Sequence, residues 1–406
     1  MSVRIYLDHN ATTPVSDDVR NHLLEWVEQW GNPSSIHGSG RGPKTLLRES
    51  REKIAKFIGA TPLELIFTAG GSEANNLAVK GVFESFQNAT ALARSGAGFR
   101  NHYLFSRVEH PSLIRSAEYL RSRGAKVDFV SVGRDGKIDL NEYGRLLSSD
   151  VALVSVMMAN NETGHLFPIR EMAEMAHAHG ALFHSDCVQA LGKIPVDVRE
   201  LGVDLASFAG HKFYSLKGAG VLYSRRGVTL ESLIHGGGQE RHRRGGTENA
   251  LAIAALGLMC EKKDVITLRG DDMRVLRDHF EARVLKEIPF TMITGPGAPR
   301  LPNTSSLVIP GVDGEMMLMN LDIKGFSVST GAACSSGSPE PSPVLLAMGL
   351  SRTEAQSSLR VGLGWSTTLQ QIDSFTDALV EVIEHLRMIG GFDLMTGKSG
   401  ETHVHS

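Results

Sequence analysis

The sequence has few cysteines, few prolines, almost no excess of charge and no long apolar run. Three cysteines among 406 residues cannot build a disulfide framework, and one stays unpaired, so a reducing, cytoplasmic compartment is expected. The 42 Lys and Arg residues nearly balance the 45 Asp and Glu residues, and this excludes a whole-molecule field that would attract nucleic acid. No apolar run approaches the roughly 18 residues of a membrane span, and the first residues lack the pattern of a signal peptide. Neither membrane insertion nor secretion is therefore expected.

Glycine, in contrast, is abundant. The chain contains 43 Gly but only 15 Pro, so glycine makes up about 11% of it against roughly 7% in an average protein. This composition predicts many tight turns and many places where the backbone closely approaches another group. The length of the chain predicts two or three domains.

A large α/β domain is predicted for residues 16–255. Short β-branched or aromatic segments alternate there with helical patterns, as in the βα units of a mostly parallel sheet. The seven predicted strands are 65–68, 102–106, 126–132, 151–157, 181–186, 205–208 and 220–223. The predicted helices are 72–86, 111–123 and 168–179.

Residues 1–15 and 256–390 are predicted to form a smaller α+β domain. Long helical patterns dominate after residue 255, and the last of them has the clearest three- and four-residue apolar spacing. The other predicted elements are helices 273–287 and 315–321 and strands 306–309 and 326–329. Residues 391–406 lack periodicity and are expected to be a disordered tail.

Three signals follow predicted strands, where the ligand sites of open α/β sheets collect. The helix that begins near Gly71 and Ser72 offers free N–H groups to an anion, although Ser72 could equally be an ordinary N-cap. Asp186 could hold a heteroaromatic nitrogen protonated or simply begin a turn. Burial of Lys212 would lower its pKa and free the amine to form a Schiff base, although a lone lysine is more often a surface residue. Together these are the groups needed to hold pyridoxal phosphate (PLP).

The motifs, taken in order, resemble those of one enzyme family. They are YLDHNATTP, GNPSSIHGSGR, TAGGSEANNLAVKG, VEHPS, NNETG, HSDCVQALGK, GHKFYSLKGAG, GGGQERHRRGGTEN, STGAACSSGS and LRVGLG. This set resembles the cysteine desulfurases of the NifS/IscS type, which belong to the class V aminotransferase group of fold-type I PLP enzymes. The resemblance extends from residue 5 to about residue 365. It implies PLP as cofactor, L-cysteine as substrate, L-alanine as product and a homodimer as the assembly.

The resemblance also implies a role for each of several residues. The catalytic residues would be Lys212 as the Schiff-base lysine, His110 stacked over the ring and Cys334 as the sulfur acceptor. The cofactor would further be held by Gly71, Ser72, Asn161, Asp186, Gln189, Ala209, His211 and, from the other subunit, Thr247. The substrate would be bound by Asn10, Asn32 and, through its carboxylate, Arg360.

Different parts of the cofactor would contact different residues of that set. Asp186 would pair with the ring nitrogen, and Gln189 and Asn161 would reach the ring oxygen. The phosphate would be held by Gly71, Ser72, His211 and Thr247. Ala209 stands where the family commonly has serine, so the expected phosphate site lacks one hydroxyl, and weaker PLP retention is predicted.

Cys334 lies among small residues, without the large apolar neighbours of a structural cysteine. It is expected to be mobile and exposed, as a residue must be if it takes up sulfur and then delivers it elsewhere. The persulfide would pass to an iron–sulfur scaffold or another acceptor protein, and Cys334 could also be a transient iron–sulfur ligand. Cys187 and Cys260 occupy apolar contexts and are expected to pack in the core.

The sequence also contains residues that allow other sites and functions. His177 and His179 fall on different faces of a helix, so no firm metal site is predicted. The run Arg241 to Arg244 is short and lacks interleaved aromatics, which favours a local anion or carboxylate contact over nucleic-acid binding. Two functions remain open beside desulfuration. One is a PLP lyase acting on selenocysteine or another β-substituted amino acid, and the other is a non-catalytic sulfur-relay subunit.

Overall fold

The computed structural model describes residues 4–92, 100–331 and 340–399. A seven-stranded sheet dominates these residues. In spatial order its strands are Leu65–Thr68, Gly220–Ser224, Leu205–Ala209, Leu182–Asp186, Val151–Ser155, His102–Ser106 and Lys126–Val130. Neighbouring strands are parallel except where Gly220–Ser224 pairs with its two neighbours. The predicted mostly parallel sheet is confirmed.

Alternate residues of the strands enter two apolar cores on opposite faces of this sheet. Ile66 packs in one core, whereas Leu65 and Phe67 pack in the other, because successive side chains of a strand point to opposite sides. The helices contributing to the first core are Gly71–Leu92 and Pro111–Ser122. Those contributing to the second are Asp17–Val27, Gly38–Phe57, Ile169–Ala178 and Ala250–Met259. The sheet is thus covered on both faces, as an α/β fold requires.

A third apolar core combines the N-terminal segment with the last third of the chain. Its strands are Ser358–Gly362, Thr304–Val308 and Met292–Ile293, which form an antiparallel sheet, and Ile5–Tyr6, which pairs in parallel with Phe326–Ser327. Its helices are Ile266–Glu287, Gly314–Ile323 and Leu369–Ile389. Short elements connect the larger ones, namely helices Leu140–Leu146, Val198–Leu201, Pro343–Ala347 and Arg352–Gln356. No helix in the described ranges combines the length and the apolar character needed to cross a membrane.

The chain after the last long helix forms a hairpin, where a disordered tail was expected for 391–406. Strand Phe392–Asp393 pairs with Lys398–Ser399 in antiparallel fashion. The guanidinium of Arg387 lies 4.6 Å from the centre of the Phe392 ring, and this contact anchors the hairpin to the preceding helix. The structure thus describes 391–399 as a hairpin, and the rest of the expected tail, 400–406, lies outside the described residues.

Candidate active site

A cavity of about 520 Å³ lies at the carboxyl ends of the parallel strands, a size typical of small-molecule sites. Strands of the large sheet and strand Ser358–Gly362 of the third core all contribute residues to its wall. The predicted site residues in the wall are Asn10, Gly71, Ser72, His110, Asn161, Asp186, Gln189, Ala209, His211, Lys212 and Arg360. The fold thus brings together residues from almost the whole chain.

Two predicted residues lie away from this cavity. Asn32 is exposed, and its side-chain oxygen accepts a hydrogen bond from the backbone N–H of Ser34 at 2.9 Å. Thr247 is also exposed. Neither is part of the cavity wall formed by the described residues.

The three cysteines have different surroundings. Cys187 and Cys260 are buried in the large core, as predicted, and burial raises the pKa of the Cys187 thiol to about 12. Cys334 lies outside the described residues. The chain leading to it passes through the cavity wall, where Thr330 and Gly331 are located.

Lys212 ends the short helical turn Gly210–Lys212 that directly follows a strand of the large sheet. Its Nζ donates hydrogen bonds to the backbone carbonyls of Asn10 at 2.6 Å and Ala11 at 2.5 Å. Burial, assisted by the positive charge of Arg360, lowers the pKa of Lys212 from 10.5 to about 8. A larger fraction of this amine is therefore neutral near pH 7 than of an ordinary lysine, which favours nucleophilic attack on a carbonyl.

Asp186 and His110 are connected by a chain of hydrogen bonds. The Asp186 carboxylate accepts from the Val188 backbone N–H at 2.9 Å and from Asn75 Nδ2 at 2.7 Å. Asn75 Nδ2 also donates to the Ser112 hydroxyl at 3.0 Å. The Ser112 backbone N–H in turn donates to His110 Nδ1 at 3.2 Å, and burial lowers the pKa of His110. The neutral imidazole therefore carries its proton on Nε2.

The side chain of Asn75 was not predicted to take part in the site. It lies four residues after Gly71 and hence about one helical turn away, on the same face of the helix. That spacing was the signal in the sequence that could have identified it.

The start of helix Gly71–Leu92 forms another side of the cavity. The first N–H groups of a helix lack intrahelical acceptors and attract anions. A Cβ on Gly71 would approach Val188 Cγ2 to 2.8 Å, so only glycine allows this close packing. Burial and two nearby lysines lower the pKa of His211, also in the wall, to about 4, so it is neutral near pH 7.

Arg244, the last residue of the run Arg241 to Arg244, contacts the same helix start. Arg244 makes two hydrogen bonds to the carboxylate of Glu73, from Nε at 2.8 Å and from Nη2 at 3.3 Å. This is the local carboxylate contact that was predicted for the run Arg241 to Arg244. Arg243 donates instead to backbone carbonyls, including that of Leu65 at 2.9 Å.

Two hydrogen bonds hold Arg360 in place, and one nitrogen of its guanidinium, Nε, has no partner among the described residues. Its Nη2 donates to the Asp8 carboxylate at 2.8 Å, and its Nη1 donates to the Asn161 carbonyl at 3.2 Å. Its Nε is buried without a hydrogen-bond partner in the described part of the chain. Asp8 was not predicted, and it fixes the direction of the guanidinium that faces the cavity.

Asn10 belongs to the cavity wall, and its side chain also makes hydrogen bonds within the protein. It is buried, its Nδ2 donates to Thr304 Oγ1 at 2.9 Å, and its Oδ1 accepts from Asn303 Nδ2 at 3.0 Å. The side chain therefore connects the N-terminal segment to the third core. The backbone carbonyl of Asn10 is the group that contacts the lysine of the site, Lys212.

The wall of the cavity fits PLP. It contains a lysine with a lowered pKa, a carboxylate fixed by two donors, a helix start with free N–H groups and an unpartnered buried guanidinium nitrogen. A helix start suits the phosphate, and the lysine can form the covalent link to the aldehyde carbon. Lys212, Asp186, Gly71 and Ser72 would hold the cofactor.

We expect Ala209→Ser to strengthen PLP binding. Ala209 is buried beside the helix start, 3.5 Å from where a Cβ on Gly71 would lie, so a hydroxyl there can reach a phosphate bound at this helix. A hydrogen bond to a charged group contributes about 1.5 to 3 kcal/mol, so the PLP dissociation constant should fall about tenfold or more. Fluorescence titration with PLP measures this constant, and an unchanged value would count against the prediction.

Glu109, which precedes His110, is a buried carboxyl group that was not predicted from the sequence. Its Oε1 accepts hydrogen bonds from the Ser106 hydroxyl at 2.6 Å and the Met157 backbone N–H at 2.8 Å. Its Oε2 is buried and has no partner among the described residues. Burial, with a smaller contribution from the Asp186 charge, raises the pKa of Glu109 from 4.5 to about 8.

We expect Glu109→Gln to change how stability depends on pH. The folded protein binds this proton more tightly than the unfolded chain, so the wild type loses stability as the pH rises from 4.5 to about 8. The loss is at most about 1.4 kcal/mol per pH unit. The free energy of unfolding of the variant, minus that of the wild type, should therefore increase over this range and then level off. Denaturant titrations across the range test this, and a difference independent of pH contradicts it.

Comparison with known proteins assigns the family. Residues 5–375 match the model of the aminotransferase class-V family. The chain is 42% identical to the cysteine desulfurase IscS of Dictyoglomus turgidum over 97% of its own length and 98% of that protein. It is 39% identical to the cysteine desulfurase NifS of Azotobacter vinelandii, over 96% and 94% of the two chains. A solved NifS-like protein superposes with a TM-score of 0.86 at 34% identity, over 94% of this chain and 100% of that one. The chain belongs to the aminotransferase class-V family.

Proposed function

We propose that this protein, a PLP-dependent cysteine desulfurase, moves sulfur from L-cysteine to the thiol of Cys334 and then to an acceptor protein. The C–S bond of cysteine breaks, its sulfur joins Cys334 as a persulfide, and the carbon skeleton takes up protons and leaves as alanine. One observation carries this proposal: Lys212, Asp186 and Arg360 meet in a cavity whose wall includes Gly331, three residues before Cys334.

PLP, when bound, stores the electrons released as bonds to the amino-acid Cα break. Asp186, whose carboxylate is oriented by Asn75 and a backbone N–H, keeps the ring nitrogen protonated. Lys212 has a pKa of about 8 and can exist as a neutral amine, so it accepts the Cα proton and later returns one. Arg360, oriented by Asp8, binds the substrate carboxylate and so aligns the substrate.

The proposed assembly is a homodimer in the cytoplasm. Thr247 is exposed and lies outside the cavity wall of its own chain, and we propose that it completes the phosphate site of the partner subunit. Asn32 is also exposed and is proposed to approach the substrate at its own or the partner's cavity. The proposed sulfur acceptor is a scaffold protein for iron–sulfur clusters, or another thiol-bearing protein.

The test measures both products, alanine and sulfide, formed from L-cysteine by the PLP-loaded enzyme with a reductant present. We expect alanine and sulfide in equal amounts, and we expect Cys334→Ala to abolish both while the visible absorbance of bound PLP stays unchanged. Cys260→Ala is the matched control, because that thiol is buried in the core and should leave turnover intact.

The alternative functions predict other results. Sulfide production that persists in Cys334→Ala would favour a lyase that needs no thiol on the enzyme. If borohydride reduction leaves no PLP adduct on Lys212 of the wild type, both enzymatic functions fail and a non-catalytic relay subunit becomes the better explanation.

A further inference from the structure

A second lysine, Lys193, lies directly behind the cavity wall. It is only 5% exposed, and it follows Gln189 by four residues in the turn region after Asp186. Its Nζ donates to Gln189 Oε1 at 2.5 Å and lies 3.4 Å from Asn10 Oδ1. Both partners are neutral amide oxygens, and the described residues include no carboxylate within salt-bridge distance of this amine.

Such a lysine is unfavourable for folding. Burial, together with the positive charges of Lys212 and Arg360, lowers the pKa of Lys193 well below its usual value. A buried amine without a charged partner costs free energy that an apolar side chain of similar volume would not. The stability of the fold therefore gives no reason for a lysine at this position, and a reason must lie in what the amine contacts.

Two contacts, one with Lys193 and one with the Asn10 carbonyl, hold the Gln189 amide in a single orientation. A lysine amine bound this way donates, so the Gln189 atom facing it must be the oxygen. The Asn10 carbonyl can only accept, so the Gln189 atom facing it, at 2.9 Å, must be Nε2. Gln189 belongs to the cavity wall, and its Nε2 carries a second hydrogen beyond the one given to Asn10. That hydrogen is available to an acceptor in the cavity.

The same backbone carbonyl couples Gln189 to the catalytic lysine. The Asn10 carbonyl accepts from Gln189 Nε2 and also from Lys212 Nζ at 2.6 Å. Hydrogen bonds thus link Lys193 through Gln189 and the Asn10 carbonyl to the Lys212 amine, which would bind PLP. A change at Lys193 can reach the cofactor through Gln189 without Lys193 itself facing the cavity.

We propose that Lys193 is a positioning residue that holds the Gln189 amide with its Nε2–H group directed at the ring oxygen of PLP. The inference rests on the proposed function, because it requires PLP on Lys212 with its ring oxygen beside Gln189. A donor at this oxygen stabilises its negative charge. The nitrogen that joins Lys212 to the cofactor then binds its own proton less tightly, because the neighbouring anion is partly neutralised.

The experiment measures the pH midpoint of the visible absorbance change of the PLP-loaded enzyme. Lys193→Met retains the volume but removes the donor, and we expect it to raise the midpoint by about one pH unit, a tenfold change in proton affinity. Lys193→Gln keeps an N–H donor without the amine and should give a smaller rise. The other titratable groups near Lys212, which are Arg360, Asp8, Asp186, His110 and His211, are the same in every variant.

A double-mutant cycle identifies the path of the effect. If Lys193 acts through Gln189, Lys193→Met should cause no further shift in a Gln189→Ala background. Lys80→Met is the matched control, since Lys80 lies over the Tyr119 ring on another helix and should leave the midpoint unchanged. An equal shift in both backgrounds would overturn the proposal, and so would no shift in either. The same cycle with Lys193→Gln decides the question if the methionine variant does not fold.

The outcomes also separate this inference from the proposed function. A wild-type protein that shows no visible PLP absorbance and no borohydride-fixed adduct on Lys212 would remove the proposed function and this inference with it. A wild-type protein that titrates normally, with variants that titrate at the same midpoint, would overturn the inference alone.

Discussion

Lys212→Ala should reduce alanine formation from L-cysteine by about 10⁴-fold or more. The amine is assigned two tasks, covalent attachment of PLP and transfer of the Cα proton, and proton transfer by a positioned side chain alone typically contributes 10² to 10⁴-fold. The environment of Lys212 supports both tasks, because burial lowers its pKa to about 8 while the Asn10 and Ala11 carbonyls hold its Nζ. Steady-state alanine assays measure the loss of turnover, and mass spectrometry after borohydride reduction measures the loss of the covalent PLP adduct.

Two further variants make this result specific. Lys56→Ala removes an exposed lysine that is not part of the cavity wall and should leave turnover unchanged. Adding a small primary amine to Lys212→Ala should restore part of the proton transfer but not the adduct on the chain. The assignment fails if Lys212→Ala keeps more than a few per cent of wild-type turnover, or if borohydride fixes PLP to Lys193 in the wild type.

The large sheet could be predicted because its strands are short apolar segments bounded by turns and helices. The helix Gly38–Phe57 could not, since its first turns contain several glycines and Pro43, which disfavour a helix when the chain is considered locally. Leu47, Ile54 and Phe57 of this helix are buried in the large core. Tertiary packing therefore overrides local propensity in this helix.

The residues proposed to carry the chemistry belong to recognisable sequence motifs, but the residues that orient them do not. Lys212 and Asp186 follow strands in recognisable motifs. Asp8 orients Arg360 although 352 positions separate them in the chain, and no local pattern reports such a contact. Lysine is usually a surface residue, so the sequence does not indicate that Lys193 is buried. Only the three-dimensional packing places it behind Gln189.

Asp186→Asn should lower kcat by about 10² to 10³-fold while PLP remains attached to Lys212. An amide cannot keep the ring nitrogen protonated, and loss of one member of a buried charged pair costs about 3 to 5 kcal/mol. In the wild type, Asn75 Nδ2 donates a hydrogen bond to the Asp186 carboxylate at 2.7 Å. The substitution replaces this carboxylate by a second amide, which also carries an N–H donor and so disturbs the hydrogen bond. Part of any loss could therefore come from the disturbed hydrogen bond.

The exchange Asn75→Asp with Asp186→Asn separates these two causes. It restores a carboxylate–amide hydrogen bond between the two positions, but it moves the charge from the end of strand Leu182–Asp186 to the helix Gly71–Leu92. If the charge at position 186 is what matters, the exchanged protein should regain its thermal stability and keep its bound PLP, while kcat stays at the level of Asp186→Asn. A full recovery of kcat would show instead that Asp186 acts through its hydrogen bond with Asn75, and the assignment to the ring nitrogen would fail.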